Sequence, residues 1–137
     1  MQVNPYLNFN GNCEAALKFY QKVLGAKIEA MFPFGEGPPE MKMPPEWKDK
    51  IMHGKVTIDG EIIMACDAPP GQFQKPQGFS VALQVEDPAD AERRFKALAD
   101  GGSVTMPFGK TFFSNGFGMC VDQFGIPWMV NCPMEGM

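Results

Sequence analysis

Histidine occurs once in the 137 residues, at His53, so a metal centre built on several imidazoles is excluded. No apolar run approaches the roughly 18 residues that a membrane span requires. The segment Ile62-Ile63-Met64-Ala65-Cys66 is typical of the longest, and the sequence predicts no membrane partner. The first 30 residues carry no apolar signal-peptide core, and a mature cytoplasmic chain is expected. Basic residues are outnumbered: 12 Lys and Arg stand against 16 Asp and Glu, for a net charge of −4, with no basic run or stripe. Nucleic acid is thereby excluded as a partner, since phosphate affinity starts with clustered Lys and Arg. The four cysteines, Cys13, Cys66, Cys120 and Cys132, share no C-x-x-C spacing and read as reduced thiols. Charged residues reach only 20%, while 12 Phe and 2 Trp are present, which is not the composition of a disordered chain. What remains is material for one compact domain with a real core.

That material is arranged twice. Residues 6–35 read as strand, helix, strand, and residues 80–109 read the same way about 75 positions later. The first helix is predicted from Cys13 to Leu24, with Asn12 as N-cap, Gly25 as stop, and Ala16, Phe19, Tyr20 and Val23 on the apolar face. In the second copy Asp87 caps, Pro88 takes the first helical position, Ala91, Phe95, Leu98 and Ala99 form the stripe, and Gly101-Gly102 ends it. Each half then adds two strands. Asp59-Gly60 joins the first pair as a two-residue hairpin loop, and Asp122-Gln123-Phe124-Gly125 turns between the second pair. The pattern is βαβββ twice, an α+β fold. Residues 36–50, rich in Pro, Met and Trp, form a long loop that reads either as a lid or as a semi-rigid spacer. Residues 67–78 read as the linker between halves.

Particular peptides carry a family resemblance. Asn4-Pro5-Tyr6-Leu7-Asn8-Phe9, Gly11-Asn12-Cys13-Glu14-Ala15-Ala16, Phe19-Tyr20 and Leu24-Gly25-Ala26 resemble the opening of the vicinal-oxygen-chelate (glyoxalase / bleomycin-resistance) superfamily. Thr111-Phe112-Phe113, Phe117-Gly118-Met119 and Asp122-Gln123-Phe124-Gly125-Ile126-Pro127-Trp128 are similar to its PhnB-like branch, sometimes labelled a 3-demethylubiquinone methyltransferase domain. The resemblance implies a single glyoxalase-like domain over 1–137, made of βαβββ modules 1–66 and 79–137, with a concave sheet cupping a ligand cavity, helices on the convex side, and a homodimer. Enzymes of the superfamily hold a divalent metal with His or Gln, Glu, His and Glu from the first and last strands of each module. Strand parity places those positions at or next to Asn4, Met64, Ser80 and Met129. None is an imidazole or a carboxylate, so neither a metal nor another cofactor is expected. The methyltransferase label lacks its usual sequence context. Gly35-Glu36-Gly37 precedes prolines and Gly116-Phe117-Gly118 opens a strand, so neither makes a glycine-rich strand-to-helix turn.

His53 is the first catalytic candidate. It alternates with Ile51, Lys55 and Thr57, opposite Met52, Val56 and Ile58, and so points into the cavity or toward a partner chain. Imidazole suits a general base or a ligand anchor, although a strand histidine also serves as a hydrogen-bonded structural group. Asp67, just past the Met64-Ala65-Cys66 strand, is the second candidate; it can accept a proton, fix a His53 tautomer, or simply form the turn before Pro69-Pro70. The ligand-binding candidates are Tyr6, Asn8, Met64, Cys66, Gln84, Phe112, Met129 and Asn131. The amides orient a polar group, and Met64 and Met129, with Met119, give a soft lining, although methionine also fills core gaps. Phe112 and Phe113 are expected to straddle a strand, one in the core and one capping the cavity. Cys13, in the first helical turn, reads either as a thiol acidified by the helix dipole or as a packed one. Trp128 alternates with Met129 and should face the helices. Three readings follow: a metal-free binder of a small, partly apolar molecule, with or without turnover at His53; a metal-dependent lyase or dioxygenase of the glyoxalase type; or a non-catalytic dimeric interaction module.

Overall fold

A computed structural model of the chain describes residues 1–135. The chain divides into two compact units, one over Met1–Gln74 and one beginning at Lys75. The first unit runs β1 (Tyr6–Phe9), α1 (Cys13–Leu24), β2 (Lys27–Pro33), β3 (Ile51–Ile58) and β4 (Glu61–Asp67). Its sheet has the order β1-β4-β3-β2, with β1 parallel to β4 and the other pairs antiparallel.

Helix α1 starts and stops where the sequence places it, but its start is held differently. Gly25 adopts the left-handed conformation (φ 67°) and its N–H returns to the Tyr20 carbonyl. Asn12 makes no side-chain capping bond. The Cys13 N–H is instead taken by Asp67 Oδ1, 2.9 Å away on β4. The buried face is also turned from the expected one. Cys13, Ala16, Leu17, Tyr20 and Leu24 are buried, while Phe19 and Val23 are half-buried. The sheet explains the rotation: Gly54 on β3 leaves the room that Leu17 enters, and a Cβ there would sit 2.8 Å from Leu17 Cδ1. Between β3 and β4, Asp59 (φ 50°) and Gly60 (φ 83°) both take left-handed backbone, as a two-residue hairpin turn requires. The long loop is more ordered than a plain spacer. Short 3-10 turns form at Phe34–Glu36 and Pro45–Trp47, and the N–H groups of Phe34 and Gly35 bond the carbonyls of Lys50 and Lys48 at 2.8 Å each.

The second unit repeats the design with β5 (Val81–Gln84), α2 (Pro88–Ala99), β6 (Ser103–Gly109), β7 (Ser114–Val121) and β8 (Pro127–Pro133), in sheet order β5-β8-β7-β6. Asp87 caps α2 by accepting from Asp90 N at 2.9 Å, and Ala91, Phe95 and Leu98 are buried beneath it. Trp128 and Val130 of β8 complete the core. Asp122, almost fully buried, accepts from the N–H groups of Phe124 and Ile126 and from Trp128 Nε1 at 2.8–3.1 Å. The Asp-x-Phe-Gly-x-Pro-Trp peptide is therefore a folding device: its acid builds the turn and fixes the indole. Phe112 and Phe113 do not straddle a strand. They lie in the turn before β7, where the Phe113 N–H bonds Thr111 Oγ1, and Phe112 is 90% exposed.

Candidate functional site

Burial alternates along β1 and β4, because α1 covers one face of their sheet. Leu7 and Phe9 point to the helix side with Ile63 and Ala65, leaving Tyr6, Asn8, Met64 and Cys66 on the other face. Register sets Tyr6 beside Met64 and Asn8 beside Cys66, and β3 brings Lys55 beside Met64. His53, one alternation from Lys55, joins the same face, its ring centroid 6.2 Å from that of Tyr6. Five residues singled out in the sequence, Tyr6, Asn8, His53, Met64 and Cys66, thus share one open face.

Two groups of this face, Tyr6 and Cys66, are held in their neutral forms. Burial, with Cys66 alongside, pushes the Tyr6 phenol up to about 12, so it remains a hydroxyl donor at neutral pH. Burial also raises the Cys66 thiol, outweighing a lowering contribution from Tyr6. The thiol donates to Asn8 Oδ1 at 3.3 Å. Phe32 is a member that the sequence reading missed. It pairs with His53 across β2 and β3 and is 49% exposed.

Asp67 is not part of this face. It is the last residue of β4, 1% exposed, on the helix side, and its two oxygens accept from Cys13 N (2.9 Å) and Ile51 N (2.8 Å). A carboxylate consumed by two backbone donors neither orients His53 nor meets a ligand. Ile51, expected on the His53 side by alternation, is instead buried, at the register shift where Pro33 pairs with it. Cys13 is also not an activated thiol: burial, with the Asp67 carboxylate beside it, pushes it well up.

In the second unit the face away from α2 carries Gln84, Asn131 and Met129. Register joins Gln84 to Asn131 and Ala82 to Met129, and β7 adds Phe117 beside Asn131 and Met119 beside Met129. Asn131 Nδ2 donates to Gln84 Oε1 at 2.8 Å. Asn131 Oδ1 is shielded from solvent without a hydrogen-bond partner among the described residues. An orphaned buried acceptor of this kind costs about 1–3 kcal/mol. Phe112 stands apart from these rows but connects to them through edge-on ring contacts, Phe112 to Phe113 at 5.2 Å and Phe113 to Phe117 at 5.1 Å.

The residues that strand parity places at or next to the expected metal-ligand positions do not have the chemistry of a divalent-ion site. Asn4 and Met64 offer a carboxamide and a thioether, and Ser80 and Met129 a hydroxyl and a thioether, where such ions take imidazole and carboxylate. Among the described residues, no three His, Cys, Asp or Glu side chains group as metal ligands. No helix among them is long and apolar enough to cross a membrane.

Comparison with known proteins agrees with this architecture. Protein YjdN of Escherichia coli (strain K12) is 37% identical, over 96% of this chain and 95% of its own. The crystal structure of PA1353 from Pseudomonas aeruginosa superposes with a TM-score of 0.88 at 48% identity, covering 97% of this chain and 98% of that one. The PhnB protein of Bacillus cereus, at 24% identity and a TM-score of 0.79, shares the fold over 96% of this chain and 98% of its own. The model of one family matches residues 2–130, spanning both repeats. On that match and the doubled βαβββ architecture, the chain belongs to the Glyoxalase/Bleomycin resistance protein/Dioxygenase superfamily.

Proposed function

We propose that this protein binds a small, partly apolar molecule on its open sheet faces, without the divalent metal used by enzymes of its superfamily. The observation that carries the reading is the gathering of Tyr6, Asn8, His53, Met64 and Cys66 on the uncovered face of one sheet, with Phe32 beside His53. A hydroxyl, an amide, an imidazole and a thiol set among a thioether and an aromatic ring match the usual make-up of a small-molecule site, apolar with a few placed polar groups. The donor chemistry at Asn4, Met64, Ser80 and Met129 supports the absence of a metal step. In this reading His53 anchors the ligand and is the group placed to exchange a proton with it, while the neutral Tyr6 hydroxyl donates. Asp67 takes no part.

Methyl NMR of protein labelled at methionine methyl carbons tests the proposal against a library of monoaromatic fragments, each bearing one polar group. Expected is a saturable shift of the Met64 methyl that His53→Gln weakens. A library that moves no methyl on either open face contradicts the reading. The proposal extends to a homodimer in the cytoplasm. The exposed Val104 (50%) and Met106 (44%) on the edge strand β6 support self-association, and four unpaired thiols fit a reducing compartment. Sedimentation equilibrium is expected to give twice the chain mass; a single-chain mass at micromolar concentration contradicts the dimer.

A further inference from the structure

The amide pair on the second unit carries an unmet hydrogen-bonding demand that is not balanced within the chain. Asn131 has an acceptor and two donor hydrogens, and so does Gln84. One bond, Asn131 Nδ2 to Gln84 Oε1 at 2.8 Å, joins them. On one side Asn131 Oδ1 is shielded from water and unpartnered among the described residues. On the other side stands the terminal amide nitrogen of the exposed Gln84. Each unpaired group calls for a different partner: Oδ1 requires an N–H or O–H donor, and Gln84 Nε2 requires an acceptor. The buried Phe117 is in register with Asn131, and Met129 and Met119 pair on the same face two residues along, so Asn131 has apolar neighbours. There an unpaired acceptor cannot be satisfied by bulk solvent.

We propose that the Asn131–Gln84 pair is a recognition site for a neutral molecule carrying a donor and an acceptor side by side, as in a primary or secondary carboxamide or a lactam, attached to an aromatic or other apolar body. This deepens the small-molecule reading above and rests on it. A carboxylate satisfies Gln84 but brings its charge against Asn131 Oδ1 without a proton to give. A tertiary amide likewise has an acceptor and no donor. Both are excluded by the same orphaned oxygen. The apolar body lies along Met129 and Met119, whose flexible thioethers accommodate rings of different outline. The amides supply selection by hydrogen-bond pattern and the methionines supply contact area.

Three probes of similar size separate the possibilities: benzamide, N,N-dimethylbenzamide and benzoate. Each is titrated into full-length protein carrying methionine methyl labels, with Met129 and Met119 as reporters. Benzamide is expected to shift both methyls saturably and to bind about tenfold or more tightly than the other two, the discrimination that one unmet buried hydrogen bond provides. Gln84→Met, at an exposed position, should weaken all three probes alike, because each offers Gln84 an acceptor, and should leave the preference for benzamide in place with the fold intact by its methyl spectrum. Asn131→Leu should erase the preference, and if that variant does not fold, the common loss in Gln84→Met with the preference kept still tests the assignment. Equal binding of the three probes overturns the proposal and leaves the broader reading standing. The proposal alone also fails if other aromatic fragments shift the face methyls while benzamide does not. If no fragment of any class shifts a face methyl, the small-molecule reading falls with it.

Discussion

In the first unit, β1, β3 and β4 set a phenol, an imidazole and a thiol on the face away from α1; in the second, the matching strands set two carboxamides and two thioethers there. Backbone order is the same in both sheets, β1-β4-β3-β2 and β5-β8-β7-β6. Repetition therefore preserved the platform and not the chemistry. Of these side chains, those able to exchange protons lie on the first face, and those on the second offer hydrogen-bond pattern and soft contact. The same division runs through the buried acids. Asp67 sits at the end of β4 and holds the start of α1, whereas Asp122 sits before β8 and holds a turn and an indole.

Removing each acid is the strongest way to probe this difference. Asp122→Ala leaves three donors unmet, including Trp128 Nε1, and is expected to cost about 3 kcal/mol or more in urea unfolding. Asp67→Ala leaves two, so about 2 kcal/mol is expected. A larger loss at Asp67 would reverse the order. Next come two glycines beneath the helices. A Cβ at Gly118 meets Phe95 Cε1 at 2.7 Å and the Phe108 backbone at 3.1 Å, while one at Gly54 meets only the tip of Leu17 closely. Gly118→Ala should cost about 2 kcal/mol and Gly54→Ala about 1 kcal/mol; equal unfolding midpoints would contradict that packing difference.

Thiols sharpen the comparison further. Burial pushes Cys120 from its ordinary value near 9 up to about 11, and Cys13 is raised as well. A raised thiol is protonated in the folded chain after the unfolded chain has ionised. Its stabilisation is present below pH 9 and is lost as pH rises through about 11. Urea midpoints in reductant should fall across that window, and fall less in Cys120→Ala; an identical slope in the variant would remove Cys120 as a cause. At pH 8 Cys66, the half-buried thiol, should react first with Ellman's reagent, and prior reaction of Cys13 or Cys120 would contradict their burial. The smallest effect on stability is expected at His53. His53→Gln should change the unfolding free energy by no more than about 0.5 kcal/mol while weakening ligand binding at the first face.

Much of the fold was legible because its punctuation is local. Gly25, Asp87-Pro88 and Asp59-Gly60 act on their own neighbours, and each stops a helix, starts one, or turns a hairpin in the structure. What was not legible depends on residues distant in the chain. The cap on α1 comes from Asp67, 54 positions from Cys13. The helix face turned toward Leu17 because Gly54 made room on another strand. Phe32 escaped notice because register shifts in β2, between Ile28 and Ala30 and again beside Pro33, break simple alternation. On the first face, strict alternation in β1 and β4 was enough to bring Tyr6, Asn8, Met64 and Cys66 together. On the second, Gln84 and Asn131 each showed the right parity, but their mutual bond and the orphaned Oδ1 are properties of side-chain placement.

The most direct test of metal-free binding at the open faces is a fragment titration of methionine-labelled protein, purified without chelator and measured before and after adding EDTA. The expected result is a saturable shift at Met64 that EDTA leaves unchanged, with no stoichiometric metal by elemental analysis. A shift abolished by EDTA, together with about one tightly held ion per chain, would contradict it and place the chain among the metal-dependent members of its superfamily.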